Sequence, residues 1–296
     1  MSRLLGVGAL QMPTVQGNVN KNLEVIEQHV QAVMTMNPWI KLVCTNELCF
    51  QGAFDMETTA QTIPGQITDV CCEIAKRHHI YFISGSIYEK SGQHYYNTTP
   101  VISPEGKIIA QYRKMFPWRP HEKTTSGDAT VTFKIPDVGM VGICICYDLW
   151  FPELIRDLVW KGAELIIIPT LSRTQDRCQE IILARAAAIC NQCYILSING
   201  AVPYGRGESL LIDPEGHLMQ QAGHNCEYIM AMLDLDQVYN IRRHGTVGVS
   251  HPLTSFLFEG HRFDYQNQHS QPCKSLKQFA SMLDDKSKEK SFTERR

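Results

Sequence analysis

The stretch that decides the fold is VGICICYDLWFPELIRD, residues 141–157. An apolar strand runs into Cys146, a brief turn follows, and Pro152 occupies a first helical position. A thiol at such a junction lies beside unpaired backbone N–H groups and the positive end of a helix dipole, which both favour the thiolate. Cys146 is therefore a candidate nucleophile. Cys144 faces the same side of the strand, so alternation alone leaves a purely structural role open for either cysteine.

Strand-like and helix-like segments alternate on both sides of this stretch. The pattern predicts strands at residues 4–12, 40–48, 80–88, 138–146, 163–169 and 193–199, and helices at 18–34, 67–79, 152–161 and 176–191. Such alternation implies crossover connections and parallel neighbouring strands. It predicts an α/β fold with helices outside and two sheets inside.

Two predicted hairpins have the same turn. VISPEGKII at 101–109 and LIDPEGHLM at 211–219 both turn on Pro-Glu-Gly, where proline presets one backbone angle and glycine accepts a positive one. This likeness favours two similar layered halves within one domain. A chance similarity of two common turns is the alternative.

The composition is that of an ordinary globular protein. The 296 residues are 44% hydrophobic and 20% charged with a formal net charge of −2, which excludes a disordered or fibrous chain. No basic arm could neutralise a run of phosphates, so we expect a small-molecule partner and no nucleic acid. The eleven cysteines are scattered, and the N-terminal apolar run is too short to span a membrane. We expect reduced thiols, no membrane partner and a cytosolic location.

The C-terminal end of the chain differs from the rest. It carries many charges and few aromatic residues from about residue 274 onward. We predict one domain over residues 1–270 and a charged tail at 271–296, which is either mobile or in contact with another subunit.

Two further strand ends carry charged residues. Glu47 ends an otherwise apolar strand, where a carboxylate suits a general base. Lys114 lies in YRKMFPW at residues 112–118, where a strand ends in aromatic and proline residues. A glutamate that points to water and a lysine at the rim are the alternative interpretations of these two positions.

The three segments together resemble the carbon–nitrogen hydrolase family, also called the nitrilase superfamily, whose members use a Glu, a Lys and a Cys. Glu47 before a leucine, Lys114 in YRK and Cys146 in ICYDLWFPE match that pattern residue by residue. The likeness covers about residues 4–238 and includes the segment at 185–199. It implies a four-layer α-β-β-α sandwich of two pseudo-equivalent halves that assembles as a homodimer or larger homo-oligomer.

The resemblance also implies a chemistry for the three residues. Cys146 attacks an amide carbonyl and forms a thioester, Glu47 accepts the thiol proton, and Lys114 holds the oxyanion. Ammonia leaves, and water activated by Glu47 completes the cycle. None of these steps requires a metal or an organic cofactor. An N-carbamoyl hydrolase and a catalytically silent protein that binds metabolites are the alternatives.

Three residues are expected to bind substrate. Tyr147 follows the cysteine as in the amidase branches, and its backbone N–H is expected to hold the oxyanion. Glu122, in a run that resembles aliphatic amidases and formamidases, aligns with a second glutamate that those enzymes place near the triad. Thr170, at a strand end, could line the pocket. Asn46 departs from the family, which usually has proline before the first glutamate.

Other kinds of site compete with this assignment. A Cys–His pair is the commoner way to activate a thiol, and His121 is the histidine nearest a proposed catalytic segment. A zinc site could use a histidine together with four cysteines: Cys144, Cys146, Cys190 and Cys193. Only Cys190 and Cys193, with two residues between them, have the spacing that zinc ligands usually show. Cys190 and Cys193 fit a redox motif poorly because they close a helix rather than open one.

Overall fold

The computed structural model describes residues 2–263 together with Gln266, Gln271, Leu276 and Lys277. The strands are β1 (Leu4–Gln11), β2 (Leu42–Thr45), β3 (Tyr81–Ile83), β4 (Ile87–Ser91), β5 (His94–Ile102), β6 (Ile108–Arg113), β7 (Val131–Ile135), β8 (Gly139–Ile143), β9 (Leu165–Thr170), β10 (Tyr194–Asn199), β11 (Leu210–Ile212), β12 (Leu218–Gln221) and β13 (Glu227–Asp234). The helices are α1 (Val19–Met36), α2 (Met56–Thr59), α3 (Gln66–His78), α4 (Pro152–Trp160), α5 (Arg177–Asn191), α6 (Leu235–His244) and α7 (Pro252–Glu259), and a 3₁₀ helix spans Cys146–Trp150. The predicted tail at 271–296 lies outside the described residues except at three positions.

Within the described residues, the strands form two sheets of matching design. The first has seven strands in the order β13-β1-β2-β3-β5-β4, with β6 also paired to β5, and the second has six in the order β12-β11-β10-β9-β8-β7. Three parallel strands lie at the centre of each sheet, and an antiparallel strand flanks them on both sides. This correspondence confirms the two similar halves.

The layers follow from which face of each element is apolar. Side chains at alternate positions of β1, such as Leu5 and Val7, share the core between the sheets with Val141 and Ile143 of β8. The other face of the first sheet packs against α1, whose buried residues recur at helical spacing: Leu23, Ile26, Val30 and Val33. Helices α4 and α5 pack against the second sheet. The result is the predicted four-layer α-β-β-α sandwich.

The two predicted hairpins occupy corresponding positions, at the outer edge of each parallel set. Gly106 has a φ of +73° and Gly216 a φ of +84°, and in each turn the glycine N–H donates to the carbonyl oxygen of the residue that precedes the proline. Both hairpins also have a register shift just before the last residue of the first strand, between Val101 and Ile102 in one and between Leu211 and Ile212 in the other. The shared Pro-Glu-Gly sequence therefore marks equivalent structures.

Some predicted boundaries are wrong. The strand expected at 80–88 is two strands, β3 and β4, because the chain turns at Ser84-Gly85-Ser86 and places them in different positions of the sheet. The pattern also did not predict β7 or β13. The latter pairs with β1 along its whole length, from Leu4 opposite Asp234 to Gln11 opposite Glu227.

Among the described residues, no helix is both long enough and apolar enough to cross a membrane. The cytosolic location and the assembly into homo-oligomers stay predictions.

Candidate active site

Glu47 lies just beyond β2, in a loop that is fixed by its neighbours. Its backbone N–H donates to the carbonyl oxygen of Thr170 at 3.2 Å, which joins the two sheets. Leu48 has a φ of +50°, and its N–H donates to the Ser86 hydroxyl at 3.1 Å. Asn46 is fully buried and its side-chain oxygen accepts a hydrogen bond from the N–H of Met12. The asparagine that departs from the family pattern therefore holds this loop to the end of β1.

Lys114 follows β6 and is held between two carboxylates. Its side chain is only 2% exposed, and Nζ donates to Glu47 Oε1 at 2.9 Å and to Glu122 Oε2 at 2.7 Å. Its backbone N–H donates to the carbonyl oxygen of Asn97 at 2.8 Å, which fixes the strand end against β5. Because an ammonium group has three N–H donors, one is left after these two bonds.

Glu122 is part of the same centre. Its Oε1 accepts hydrogen bonds from Asn97 Nδ2 at 2.9 Å and the Thr124 hydroxyl at 3.0 Å, and its Oε2 accepts the N–H of Trp118 at 3.1 Å. Asn97 Nδ2 also donates to Glu47 Oε1 at 2.8 Å. Asn97 and Lys114 thus bridge both carboxylates, and the Oε2 atom of Glu47 accepts no hydrogen bond from any described residue.

Charge and burial set the protonation of this centre. Burial acts to lower the pKa of Lys114, but Glu122 and Glu47 outweigh it and raise that pKa well above its ordinary value. Burial acts to raise the pKa of Glu122, but Lys114, Asn97 and the N–H of Trp118 outweigh it and bring that pKa below its ordinary value. Lys114 is therefore a cation, and Glu122 an anion, at neutral pH.

Cys146 begins the 3₁₀ helix that follows β8. Its φ of +49° lies in the left-handed region, which costs a non-glycine residue about 1 kcal/mol or more and is a common feature of functional sites. The residue is partly exposed to solvent. Burial of the thiol and the nearby Glu47 carboxylate raise the pKa of Cys146 well above its ordinary value, despite an opposing effect of Lys114.

The expectation that this junction favours the thiolate is therefore wrong. Pro152 does begin an α-helix, α4, but Cys146 is the first residue of the preceding 3₁₀ helix and lies six positions before Pro152. The helix dipole acts only within the first turn, so it does not reach the sulfur. The surroundings favour a neutral thiol, and a base must remove the proton.

Asp148 fastens the Cys146 turn to the Lys114 segment. It is fully buried, and its Oδ2 accepts hydrogen bonds from the Tyr112 hydroxyl at 2.7 Å and the N–H of Ile145 at 2.9 Å, while its Oδ1 accepts the N–H of Phe116 at 2.9 Å. Burial raises the pKa of Asp148 to about 6. The sulfur and the ammonium group are thus positioned by one buried carboxylate.

Thr170 and Tyr147, the other two residues predicted to bind substrate, lie at the end of β9 and just after β8, two strands of the second sheet. The side chain of Thr170 is buried and its hydroxyl donates to the carbonyl oxygen of Ile168 at 3.1 Å. Tyr147 packs edge-on against Phe151, with ring centroids 5.4 Å apart. Its backbone N–H lies in the first turn of the 3₁₀ helix, where no intrahelical acceptor is available. Direct contact of these residues with a substrate stays a prediction.

The structure gives less support to the alternative sites, a Cys–His pair and a zinc site, than to the Glu47–Lys114–Cys146 assignment. The charged side chains that act on the Cys146 thiol are Glu47, Lys114 and Glu180, and none is a histidine. His121 is exposed and packs against Trp118, with ring centroids 4.4 Å apart. Over the described part of the chain, no group of three or more His, Cys, Asp or Glu side chains could hold a metal ion. Cys190, unlike Cys144 and Cys193, is exposed.

Comparison with known proteins identifies the family. Residues 6–243 match the family model described as carbon-nitrogen hydrolase. The chain belongs to the carbon–nitrogen hydrolase family. A formamidase of Bacillus cereus strain G9842 is 31% identical over 227 residues, which cover 72% of this chain and 68% of that protein. The omega-amidase NIT2-B of Xenopus laevis is 29% identical over 259 residues, which cover 81% of this chain and 91% of that protein.

Solved structures of this family share the fold. Saccharomyces cerevisiae Nit3, described as a member of branch 10 of the nitrilase superfamily, superimposes with a TM-score of 0.75 at 25% sequence identity, covering 82% of this chain and 94% of that one. A carbon–nitrogen hydrolase of Helicobacter pylori G27 superimposes with a TM-score of 0.74.

Sequence reasoning missed four polar residues around the centre: Asn97, Asp148, Ser172 and Glu180. Each acts on Glu47, Lys114 or Cys146. The only signal was an acidic residue beside apolar ones at Asp148 and Glu180, whereas Asn97 and Ser172 have polar neighbours and give none. That signal is weak, since many such residues only satisfy backbone groups.

Proposed function

We propose that this carbon–nitrogen hydrolase cleaves the C–N bond of a small amide and releases ammonia, with Cys146 as nucleophile, Glu47 as general base and Lys114 as oxyanion donor. The observation that carries the proposal is a buried ammonium group that joins two carboxylates and lies close enough to Cys146 to oppose the rise in its pKa. The formamidase and omega-amidase relatives support the amidase class.

The first half of the reaction transfers the acyl group to sulfur. Glu47 Oε2, which has no protein donor among the described residues, accepts the proton of Cys146 as the sulfur attacks the carbonyl carbon. The remaining N–H of Lys114 and the N–H of Tyr147 stabilise the negative charge that forms on oxygen, and one such donor is typically worth about 3 kcal/mol of barrier. Glu47 then gives its proton to the leaving nitrogen, so ammonia departs and a thioester remains.

The second half returns the enzyme to its starting state. Glu47 takes a proton from water, and the resulting hydroxide attacks the thioester carbonyl carbon. The carbon–sulfur bond breaks, the proton returns to Cys146, and a carboxylic acid leaves. Lys114 stays protonated throughout, because Glu122 remains an anion beside it even when Glu47 takes up a proton. Its role is therefore electrostatic and needs no proton transfer.

Glu122 suits a second role in the same cycle. It holds Lys114 through a second ion pair beside that of Glu47, and Asn97 and Thr124 hold its Oε1. A carboxylate in this place orients the ammonium group. Lys114, Trp118, Asn97 and Thr124 together use the four acceptor sites of Glu122, so its role is to hold Lys114 rather than to bind the substrate N–H.

The test is ammonia release from a panel of formamide, short aliphatic amides, dicarboxylic acid monoamides and N-carbamoyl compounds. We expect turnover of at least one simple amide, loss of that turnover in Cys146→Ala, and little change in Cys144→Ala, whose thiol is buried two residues upstream. Carbon dioxide released together with ammonia would favour the N-carbamoyl alternative. Unchanged turnover in a folded Cys146→Ala variant would refute the assignment, and no turnover of any compound would favour a silent protein.

A further inference from the structure

A second polar network approaches Cys146 apart from Glu47 and Lys114. The Ser172 hydroxyl lies 3.8 Å from Cys146 Sγ, within the range of a hydrogen bond to sulfur. Ser172 is buried, and Asn199 holds its backbone on both sides: Asn199 Oδ1 accepts the Ser172 N–H at 2.8 Å, and Asn199 Nδ2 donates to the Ser172 carbonyl oxygen at 3.1 Å. The hydroxyl is thus fixed beside the sulfur.

The hydroxyl proton of Ser172 is already used. Its Oγ donates to Glu180 Oε1 at 2.7 Å, and Glu180 Oε2 accepts a hydrogen bond from Arg177 Nη1 at 3.1 Å. The side chains of Glu180 and Arg177 are 3% and 1% exposed. Arg177 also donates to the Ser197 hydroxyl and to the carbonyl oxygen of Glu208. Glu180 is therefore held in one orientation by a buried cation, with Ser172 as its other partner.

These bonds determine the direction of the contact with sulfur. A hydroxyl has one proton and two acceptor lone pairs, so Ser172, which donates to Glu180, can only accept from Cys146. We infer that Ser172 and Glu180 are positioning residues that hold the S–H of Cys146 in place and keep its proton on sulfur until substrate binds. The inference rests on the proposed function, because it assigns Cys146 as the reacting group.

The charges around the sulfur agree with this role. Burial, Glu47 and Glu180 act to raise the pKa of the Cys146 thiol, whereas Lys114 and a backbone hydrogen bond of Leu171 act to lower it, and Arg177 and Asp176 act on Glu180. Burial and the two carboxylates prevail, and they oppose a thiolate. Proton transfer to Glu47 is then tied to attack on the carbonyl carbon, and an idle enzyme exposes no reactive thiolate to oxidants or alkylating agents.

The test measures the pH dependence of Cys146 alkylation by iodoacetamide, followed by mass spectrometry of the peptide that contains it. Ser172→Ala removes the acceptor but keeps the Glu180–Arg177 pair. We expect its alkylation midpoint to fall by roughly half a pH unit to one unit, the size of one hydrogen bond. Glu180→Gln should shift the midpoint in the same direction. The double variant should shift it by less than the sum, because Ser172 acts together with Glu180.

Two controls separate this role from a general loss of packing. Ser197→Ala removes another hydroxyl bonded to Arg177, far along the network from the sulfur, and should leave the midpoint unchanged. Ser172→Thr keeps the hydroxyl and should restore the wild-type midpoint. A folded Ser172→Ala variant with an unchanged or higher midpoint would overturn the inference. Alkylation needs no amide substrate, so this experiment can fail or succeed independently of the proposed amidase activity.

Discussion

Replacing Lys114 by Met removes the cation that two buried carboxylates share. Glu47 loses the hydrogen bond at 2.9 Å and Glu122 the one at 2.7 Å, and their side chains are only 5% and 12% exposed. Water therefore compensates poorly, and breaking a buried ion pair by removal of one partner costs roughly 3–5 kcal/mol. We expect Lys114→Met to lower the free energy of unfolding by about this amount at pH 7.5.

The pH dependence of that loss follows from Glu122. In the wild type its pKa lies below the ordinary value, so its contribution to stability is present above pH ~4.5 and is lost as pH falls through the folded pKa. Without Lys114, burial dominates and raises that pKa, so the folded variant takes up a proton more readily than the unfolded chain. The variant's deficit in unfolding free energy should therefore shrink as pH falls from 7.5 to 5.

Urea denaturation at both pH values measures this difference. Lys161→Met is the matched control, because Lys161 pairs with Asp157 at the surface and such pairs are worth at most about 1 kcal/mol. Its effect should be small and the same at both pH values. A Lys114→Met deficit below about 1 kcal/mol, or one that grows on acidification, would refute the reasoning about this centre.

Three further substitutions test how the site is positioned. Asp148→Ala leaves two buried donors and one partly buried donor without an acceptor and should cost roughly 3 kcal/mol or more in urea denaturation, whereas surface Asp157→Ala should cost under about 1 kcal/mol. Gly85→Ala places a Cβ 2.0 Å from the carbonyl oxygen of Asn46, at a φ of +62°, so it should shift the Glu47 loop and lower kcat; unchanged kcat would contradict this. Asn97→Ala removes the amide that bridges both carboxylates and should lower kcat about tenfold or more with little effect on KM, while a pure KM effect would contradict the positioning role.

The parts of the fold that were predicted correctly depend on local signals. Helix α4 begins at Pro152, as the proline signal predicts, and helix α1 begins after Asn18, at the predicted start of that helix, where the Asn18 side chain accepts the N–H of Lys21. Strand β13 was not predicted, although Ile229, Ala231 and Leu233 alternate into the core. Its partner β1 lies more than two hundred residues away, and no local pattern identifies a partner at that distance.

The candidate active site also has features that the sequence predicts and features that it does not. Glu47 and Lys114 follow β2 and β6, which run in the same direction in one sheet with β3 and β5 between them, so both side chains start from the same edge. The resemblance to the family predicted that they meet there. The protonation of Cys146 could not, because it depends on burial and on Glu180, which reaches the sulfur through Ser172 from helix α5. Side-chain networks between distant segments follow from packing, which the sequence pattern does not describe.

The most direct test of the central claim is the mass of the enzyme during turnover. The protein is mixed with the amide that it hydrolyses fastest and is quenched in acid within milliseconds. We expect a mass increase equal to the acyl group less one hydrogen, mapped to the peptide with Cys146 and missing in Cys146→Ala. Steady ammonia release with no adduct on that peptide, or with the adduct on another residue, would contradict it.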